Sequence, residues 1–572
     1  MVNRRDFCLA ALGAPLFIGA ASEPGRADLI LHNGKIITVD PKFSIAQAVA
    51  IRGDRIVAVG GNDEVLKTRG KKTAVVDLAG KVVMPGLIDS HTHTAGAAMT
   101  EFDHTIPDME SVQDVLDYVK ARADALEDGE WIVTRQIFIT RLREMRYPTR
   151  AELDRAAPKN PVAFGTGPDA SLNSLALQLN GIDRNFKAPA GVKVEVDASG
   201  EPTGIIRSYG RIVKTKSSGR SATEADEHSR LLELIKDYSR VGITSFGEKS
   251  ASPGLIDRYK EMADAGELNC RVALSYHVDN TGPAEQIQEA IRKAAKHPLA
   301  NADGLVRVIG IKAFLDGGML TGSAYMRQPW GVSKIYAIDD PTYKGMLYIE
   351  KERLVPIVKT AFENGLSFTA HSVGDGAVHA LLDAYEEAAK TMPIRQLHPC
   401  ISHSNFMSKE AVEQAARLGV VCDIQPAWLY LDTRTLVSHF GYDRLRYFQP
   451  LRSIFEAGGV AGGGSDHMQK IGSLRSNNPY DPWLGMYTTI TRRAKWYEGA
   501  LHSEESLSRE QAIRFYTINN AIVLRCEDKV GSIETGKLAD LIVIDTDPLT
   551  CAEDALLKTK VLRTYVNGKQ VF

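Results

Sequence analysis

The sequence predicts an α/β fold: a (β/α)8 TIM-type barrel, a small β-sandwich built from both termini, and an insertion after barrel strand 1. Three observations support this prediction. Apolar strand-like runs alternate with helical stretches through the middle of the chain, a pattern typical of parallel βα units. Eight such runs can be counted, which is the number that closes this kind of barrel. Short β-rich runs with Asn-Gly or Gly-Asp turns occur at both ends of the chain.

The barrel strands are counted backward from Asp466. The predicted strands end at or span residues 91–93, 243–248, 271–277, 306–314, 366–371, 400–403, 420–425 and 460–464. The apolar run 131–138 is not needed as one of these eight barrel strands. We therefore expect residues from about 100 to 216 to lie outside the barrel, as an insertion after its first strand.

Length and composition set the expected domain scheme. A chain of 572 residues is long enough for a large barrel and an accessory domain. Hydrophobic residues make up 44% and charged residues 24% of the chain, as in folded globular proteins. The predicted divisions are an export signal at 1–27, β-sandwich parts at 28–85 and 526–572, and the barrel with its insertion at 86–525.

The charge balance bears on the kind of partner. The net charge is -2, with both signs mixed along the chain, so no strong field is present to bind a nucleic acid. The six cysteines show no CxxC spacing, which argues against a disulfide framework or a cysteine zinc site. We expect a small-molecule substrate and no nucleic-acid partner. The sequence leaves open whether the chain forms a homo-oligomer.

The N-terminus has the order of regions found in export signals. Paired arginines at Arg4 and Arg5 precede an apolar stretch from Phe7 to about Ala21, and a small polar segment follows at 22–27. The paired arginines resemble a twin-arginine signal, and the apolar stretch is too short to remain as a membrane anchor. We predict an exported, periplasmic protein with no anchor after signal removal. The alternative is the frayed N-terminus of a cytosolic protein.

Six candidate metal ligands lie at or near the ends of five predicted strands. Residues two apart on a strand point to the same side, so His91 and His93 can both face the barrel axis. Imidazole nitrogens and carboxylate oxygens suit zinc or a similar divalent ion. The predicted ligands, at the barrel face where such enzymes work, are His91, His93, Lys312, His371, His403 and Asp466.

Lys312 stands out because it lies inside the apolar run 306–314. An unpaired lysine in such a strand carries a large desolvation cost. It therefore needs a carboxylate partner, a lowered pKa or a chemical modification.

The segment Pro85-Gly86-Leu87-Ile88-Asp89-Ser90-His91-Thr92-His93 resembles the first-strand signature of the amidohydrolase superfamily. The segments 311–317, 371–375 and 464–466, together with 200–204 and 536–541, resemble the branch that contains N-substituted formamide deformylases. The likeness extends over essentially the whole chain after the predicted signal.

The resemblance implies roles for the six candidate ligands. It places His91, His93 and Asp466 on one divalent ion, and His371 and His403 on a second. It further implies a carbamate on Lys312 that bridges the two ions. If Lys312 is unmodified, we expect it to pair with Asp316 or Asp466, with one ion bound.

These residues predict a metal-dependent hydrolase that cleaves an amide-type C–N bond by attack of a metal-bound hydroxide. Asp466 is the predicted catalytic residue, because it can take the proton of the attacking water and pass it to the leaving nitrogen. A lactone or ester hydrolase and a deaminase are alternatives on the same site. An alternative of a different class is a non-catalytic binding protein on the same fold.

Asp375 and Glu248 are further candidates near the site. Asp375, four residues after His371, is predicted to orient that histidine. Glu248 ends a predicted strand and is a candidate for the site, with a salt bridge to Lys249 or Arg271 as the alternative.

His277 and Asp169 are candidates for contact with the substrate. His277 ends a predicted strand and would either line the pocket or be a hydrogen-bonded histidine without a role there. Asp169 stands near the position where the resemblance leads us to expect a histidine. Substrate recognition is therefore expected to differ from that of the branch.

Overall fold

The computed structural model describes residues 26–572, except 136, 190, 217, 219, 280, 281 and 301. The predicted export signal lies outside the described residues apart from its last two positions. Among the described residues, no helix combines the length and the apolar character needed to cross a membrane.

The N-terminal part consists of short strands and one helix. Their bounds are β1 Ala27–His32, β2 Lys35–Ile37, β3 Ile45–Ala46, β4 Ala48–Arg52, β5 Arg55–Gly60, α1 Asn62–Leu66, β6 Arg69–Asp77 and β7 Val82–Pro85.

The first barrel strand and the insertion come next. Their bounds are β8 Leu87–Thr92, α2 Thr94–Met99, α3 Val112–Ala125, β9 Ile132–Thr134, α4 Arg150–Ala156, β10 Val162–Thr166, β11 Asp169–Leu172, α5 Ser174–Leu179, β12 Lys193–Val196 and β13 Pro202–Arg207.

The remaining barrel strands alternate with helices. The strands are β14 Ile243–Ala251, β15 Arg271–His277, β16 Val306–Phe314, β17 Ser367–Ser372, β18 Cys400–His403, β19 Val421–Ile424 and β20 Val460–Gly463. The helices are α6 Glu224–Arg240, α7 Pro253–Asp264, α8 Ala284–Ala295, α9 Lys351–Glu363, α10 Asp375–Ala389, α11 Lys409–Leu418, α12 Pro426–Phe440, α13 Leu451–Glu456, α14 Pro482–Thr491, α15 Arg509–Phe515 and α16 Ile518–Val523.

The C-terminal segment returns to short strands. Its elements are β21 Leu541–Ile544, α17 Glu553–Leu556, β22 Val561–Val566 and β23 Lys569–Gln570.

The eight barrel strands form one parallel sheet in the order β20-β19-β18-β17-β16-β15-β14-β8. Residues just after β20 bring its end to β8. The Asp466 amide donates to the His91 carbonyl at 2.8 Å, and the His93 amide donates to the His467 carbonyl at 2.8 Å. All eight predicted strands are present, and the predicted fold class is confirmed.

This closure requires a glycine at position 464. A Cβ added to Gly464 would lie 2.6 Å from the His91 Cβ and 3.0 Å from the Asp423 Oδ1. A side chain would therefore push the end of the eighth strand away from the first, since real Cβ contacts are not this close. The glycine allows Asp466, two residues later, to approach the histidines of β8.

Two small sheets are built from the terminal parts of the chain, one from N-terminal strands alone and one from strands of both ends. One has the order β5-β4-β1-β6, and the other has the order β23-β22-β21-β7-β2-β3. The C-terminal β21 pairs antiparallel with the N-terminal β7. Buried side chains that include Leu31, Val49, Val83 and Leu541 belong to one apolar cluster shared by the two sheets.

The insertion after β8 forms its own five-stranded sheet in the order β12-β13-β11-β10-β9. The apolar run left over by the strand count supplies β9, which pairs in parallel with β10. The turn between β10 and β11 lies against the segment that follows β16, since a Cβ on Gly167 would be 2.5 Å from the Thr321 Cγ2. The insertion therefore reaches the barrel face at which the strands end.

Candidate metal centre

The four predicted histidines meet at the C-terminal ends of three barrel strands. The ring centroids of His91 and His93 are 5.3 Å apart, those of His91 and His403 are 4.8 Å apart, and those of His371 and His403 are 4.4 Å apart. They come from β8 and the residue after it, from β17 and from β18. The closed parallel sheet brings these strand ends to one face, so distant parts of the sequence become neighbours.

Asp466 completes a group of three potential ligands. Its Oδ1 lies 3.2 Å from the His93 Nε2 and 3.6 Å from the His91 Nε2. The three ligand atoms all lie within 4.8 Å of one another. Asn478 holds the aspartate, since its Nδ2 donates to the Asp466 carbonyl at 2.8 Å and to the Asp466 Oδ2 at 3.2 Å.

The donor set of this group suits a divalent ion. The His91 Nε2 is buried and has no hydrogen-bond partner among the described residues. The other ring nitrogen, Nδ1, lies 2.8 Å from the Asp423 Oδ2, so the proton belongs on Nδ1 and the lone pair on Nε2. Burial lowers the pKa of His91 well below its usual range, which keeps the ring in the neutral form that binds metals.

His403 and His371 form the other side of the centre. The His403 Nδ1 lies 2.7 Å from the Gln425 Oε1, and its ring stacks on Trp428 with centroids 4.9 Å apart. The His371 Nε2 lies 3.3 Å from the Gly317 carbonyl oxygen. Burial lowers the pKa of His371 to about 3, so both rings offer a neutral nitrogen to an ion.

Lys312 lies beside these rings without a partner. Its side chain is fully buried, and its Nζ has no hydrogen-bond partner in the described part of the chain. The Nζ lies over the ring of Phe314, 5.4 Å from its centroid. Burial and the neighbouring Lys249 lower the pKa of Lys312 to about 8. The Nζ is thus the buried polar atom that a modification or an ion would satisfy.

The expected pairing of an unmodified Lys312 with Asp316 or Asp466 is wrong for this structure. The Asp316 carboxylate instead accepts hydrogen bonds from the backbone amides of Tyr325, Val373 and Gly374, at 2.9 to 3.0 Å. Its Oδ1 is 3.9 Å from the His371 Nε2. Burial raises the pKa of Asp316 to about 7. Asp316 therefore ties the segments after β16 and β17 together behind His371.

Asp423 is an important neighbour that the sequence analysis missed. It lies on β19 and is fully buried. Its Oδ1 accepts the Ser90 hydroxyl at 2.7 Å, its Oδ2 bonds the His91 Nδ1, and the Lys249 Nζ is 4.0 Å away. The spacing of Asp423 and Gln425 could have predicted their place at the site. They are polar residues two apart in an otherwise apolar run, so their side chains lie on the same face of the strand.

Replacing Asp423 with asparagine should weaken metal binding by about 10–100-fold, because the charged acceptor that orients His91 is lost. Competition with a chelator measures this affinity. Asp375→Asn is the matched control and should change the affinity less than about twofold, within the usual effect of a side chain that contacts no ligand. Equal affinities for the parent and the Asp423→Asn variant would show that the carboxylate does not support the site.

The predicted role of Asp375 in orienting His371 is not found. The chain turns after β17, so Asp375 begins α10, and its Oδ1 accepts the Arg327 backbone amide at 2.9 Å. The Gly317 carbonyl is instead the group within hydrogen-bond distance of the His371 ring.

Glu248 is buried beside His93, and the predicted alternative of a salt bridge with Lys249 or Arg271 is wrong. Its Oε2 accepts hydrogen bonds from the backbone amide and hydroxyl of Thr94. Arg271 lies at the end of the barrel strands opposite to Glu248, where its side chain pairs with Asp540 at 2.6 Å. Burial raises the pKa of Glu248 to about 7. Glu248 therefore fixes the first residue of α2, next to His93.

His277 is level with Lys312 on the neighbouring barrel strand, whereas Asp169 lies in the sheet of the insertion. His277 is exposed, and its Nδ1 is 3.2 Å from the Ser250 Oγ. Asp169 accepts hydrogen bonds from the Arg207 side chain and the Ser208 amide, both at 3.0 Å. Asp169 therefore holds the hairpin of the insertion through an ion pair with Arg207.

Comparison with known proteins places the chain in a family. The family model described as "Amidohydrolase family" matches residues 74–572. N-substituted formamide deformylase of Arthrobacter pascens is 29% identical over 558 residues, which are 95% of this chain and 97% of that protein. The putative amidohydrolase YtcJ of Bacillus subtilis strain 168 is 25% identical over 556 residues, which are 95% and 99% of the two chains.

A solved structure shows the same fold. An uncharacterised metal-dependent hydrolase from Pyrococcus horikoshii OT3 superposes with a TM-score of 0.66 at 22% identity, over 92% of this chain and 99% of that one. The match of the family model over most of the sequence accords with the barrel and the histidine cluster. The chain therefore belongs to the amidohydrolase family, as a metal-dependent hydrolase that acts on carbon–nitrogen bonds other than peptide bonds.

Proposed function

We propose that the protein hydrolyses an amide-type C–N bond of a small organic substrate at the cluster formed by His91, His93, His371, His403 and Asp466. The observation that carries this proposal is that these side chains meet at one face of the barrel, with Lys312 buried on the strand next to that of His371. Zinc is the proposed ion, in one or two copies, since imidazole and carboxylate donors suit it. The formamide deformylase among the relatives makes an N-substituted formamide the first substrate to test.

The residues divide naturally between two ion positions. His91, His93 and Asp466 would hold one ion, and His371 and His403 would hold a second. A carbamate on Lys312 would remove the cost of burying an unpaired cation, because carboxylation turns the buried cation into an anionic ligand. When bound, a divalent ion lowers the pKa of water and polarises a carbonyl group.

Asp466 is the proposed proton shuttle. Its carboxylate lies beside both histidines of β8, and its Oδ2 is held by the Asn478 amide. From this position it can accept the proton of the attacking water and deliver it to the nitrogen of the leaving amine. Transfer to nitrogen lets the amine depart as a neutral molecule.

The neighbouring residues fix the orientation of the rings. Asp423 holds the His91 ring, and Gln425 holds the His403 ring, each through Nδ1. Trp428 covers one face of the His403 ring. These contacts set the side from which each ring can bind an ion and exclude water from the other side.

Export through the twin-arginine route stays a prediction from residues 1–27. The division into sandwich, barrel and insertion at the boundaries given above is likewise a proposal. Neither is needed for the chemistry at the barrel face.

A metal-depletion experiment with three substrate classes tests the proposed function. Protein stripped with a chelator should lose at least about 100-fold in turnover of an N-substituted formamide, and added zinc should restore it. A lactone and an amino-purine, assayed in parallel, should react more slowly. Turnover of only the lactone or the amino-purine would contradict the amide assignment. A folded protein unable to take up metal would favour the non-catalytic alternative.

A further inference from the structure

A cavity of about 600 Å³ lies next to the His93 and Asp466 side of the centre. Its walls come from α2 and the loop after it, from β9 of the insertion, and from the loop after β20. A volume of this size is typical of sites that bind small molecules. The cavity contains none of the six predicted ligands, so it would hold a part of the substrate that is not cut.

Several residues that line the cavity are close along the chain to the residues of the reaction. Met468 lines it two residues after Asp466, and Gly96 lines it three residues after His93. Asn477 also lines it, next to the Asn478 that bonds Asp466. Since Asp466 is the proposed donor of the proton to the leaving nitrogen, the substituent on that nitrogen would extend into this cavity.

Apolar side chains form part of the wall. The cavity is lined by Met99, Ile106, Met109, Ile132 and Met468. An alkyl or aryl group buried against these residues is stabilised because its apolar surface is removed from water. The substituent is therefore expected to contain an apolar part.

Some of the charged residues that line the cavity have an oppositely charged partner, and others do not. Asp103 lies 2.9 Å from the His104 ring and 4.0 Å from Arg122. Lys470 donates to the Asp108 carboxylate at 3.0 Å and to a backbone carbonyl.

Two cations of the cavity, Arg135 and Lys216, remain without a carboxylate. Both side chains are exposed, and in the part of the chain that the structure describes neither has a salt-bridge partner within 4.0 Å. The cavity therefore has an excess of unpaired positive charge.

We propose that this cavity binds the amine portion of the substrate, and that this portion is an apolar group ending in a carboxylate that pairs with Arg135. Lys216 adds a second positive charge to the same cavity. The inference rests on the proposed amide hydrolysis, because that reaction assigns the leaving nitrogen to the Asp466 side. Arginine suits this role since its planar group binds a carboxylate through two parallel hydrogen bonds.

The position of Arg135 agrees with a substituent of modest length. The Gln469 Nε2 donates to the Arg135 carbonyl at 3.0 Å. Gln469 is three positions after Asp466, and three residues of chain span at most about 11 Å. A chain of several carbon atoms between the nitrogen and the carboxylate is therefore the appropriate probe.

The test compares a charged and a neutral substrate of the same shape. The pair is an N-formylated ω-aminohexanoate and its terminal primary amide. Parent protein should prefer the carboxylate, and Arg135→Gln should raise its KM by about tenfold, the loss of one hydrogen-bonded charge pair. The KM of the neutral compound and the kcat of both should hardly change. Arg155→Gln, an exposed arginine of the same insertion outside this cavity, is the matched control and should change neither KM.

Binding of the two compounds to zinc-loaded protein by calorimetry gives a readout without turnover. The inference is supported if the carboxylate compound binds more tightly than the neutral compound and Arg135→Gln abolishes this difference. This result supports the inference even if neither compound is hydrolysed and the proposed function fails. Equal binding of the two compounds, no binding of either, or the same loss in Arg155→Gln overturns it. Turnover without any preference for the carboxylate leaves the proposed function standing and overturns the inference alone.

Discussion

Replacing Lys312 with methionine is expected to lower turnover of an amide substrate by about 10²–10³-fold, the usual effect of removing one group that stabilises charge at a reacting centre. The number of ions bound per chain should fall as well. The reason is geometric, since the Lys312 Nζ is buried beside the rings of both proposed ion positions and has no other partner. Metal analysis together with steady-state kinetics measures both effects.

The same variant should leave the metal-free protein at least as stable as the parent at neutral pH. Burial lowers the pKa of Lys312 to about 8, below its usual 10.5, so at neutral pH folding must bury an unpaired cation. Methionine removes that cost and fills similar space. The cost for the parent is fully present below pH 8 and disappears as the pH rises toward 10.5, because over that interval only the unfolded chain keeps the proton.

Lys249→Met is the matched control for this comparison. Lys249 is also a buried lysine beside the centre, but its Nζ is 4.0 Å from the Asp423 carboxylate. Its removal leaves Asp423 without that cation and should destabilise the protein by about 3–5 kcal/mol. Thermal unfolding of metal-free samples distinguishes the two. Full metal content and full turnover in Lys312→Met would eliminate the lysine from the centre.

Replacing Asp466 with asparagine is expected to lower kcat by about 10²–10⁴-fold, the range for loss of a general acid–base group. Asparagine keeps the shape of the side chain and an oxygen toward His93, but it cannot carry a proton between water and the leaving nitrogen. The loss should be smaller for a para-nitroanilide, whose leaving group departs without full protonation. Kinetics with both leaving groups, on samples of known metal content, measure the difference.

Asn478→Ala provides the comparison for this prediction. It removes the amide that bonds the Asp466 carbonyl and Oδ2 but leaves the carboxylate in place, so a loss of about 10–100-fold is expected. Full turnover by Asp466→Asn with metal still bound would contradict the shuttle role.

The barrel could be predicted from the sequence because its strands are buried on both faces. The run at 306–314 is apolar except for Gly310 and the cations Arg307 and Lys312, and a lysine within such a run is conspicuous. Counting eight runs also placed the leftover 131–138 outside the barrel. The structure places the four histidines and Asp466 close together, with Lys312 buried on the strand next to that of His371.

The contacts around the ligands were harder to predict, because they depend on register and on turns. Glu248 could not reach Arg271, since Arg271 is level with Ser245 near the start of the strand pair. Asp375 could not orient His371, since two residues of turn place it on a helix. Asp423 is partnered with His91 across the closure of the barrel, between segments far apart in the sequence.

The closure of the barrel between β8 and the residues after β20 has a consequence for synthesis. His91 and His93 are translated early, whereas Asp466 emerges from the ribosome only after most of the chain has been made. The two histidines therefore lack their third partner while the insertion and seven further barrel strands are synthesised. A nascent chain that stops before Asp466 cannot form the three-residue group. An ion bound by all three residues would therefore show that synthesis has passed the eighth barrel strand and that the first and eighth strands have met.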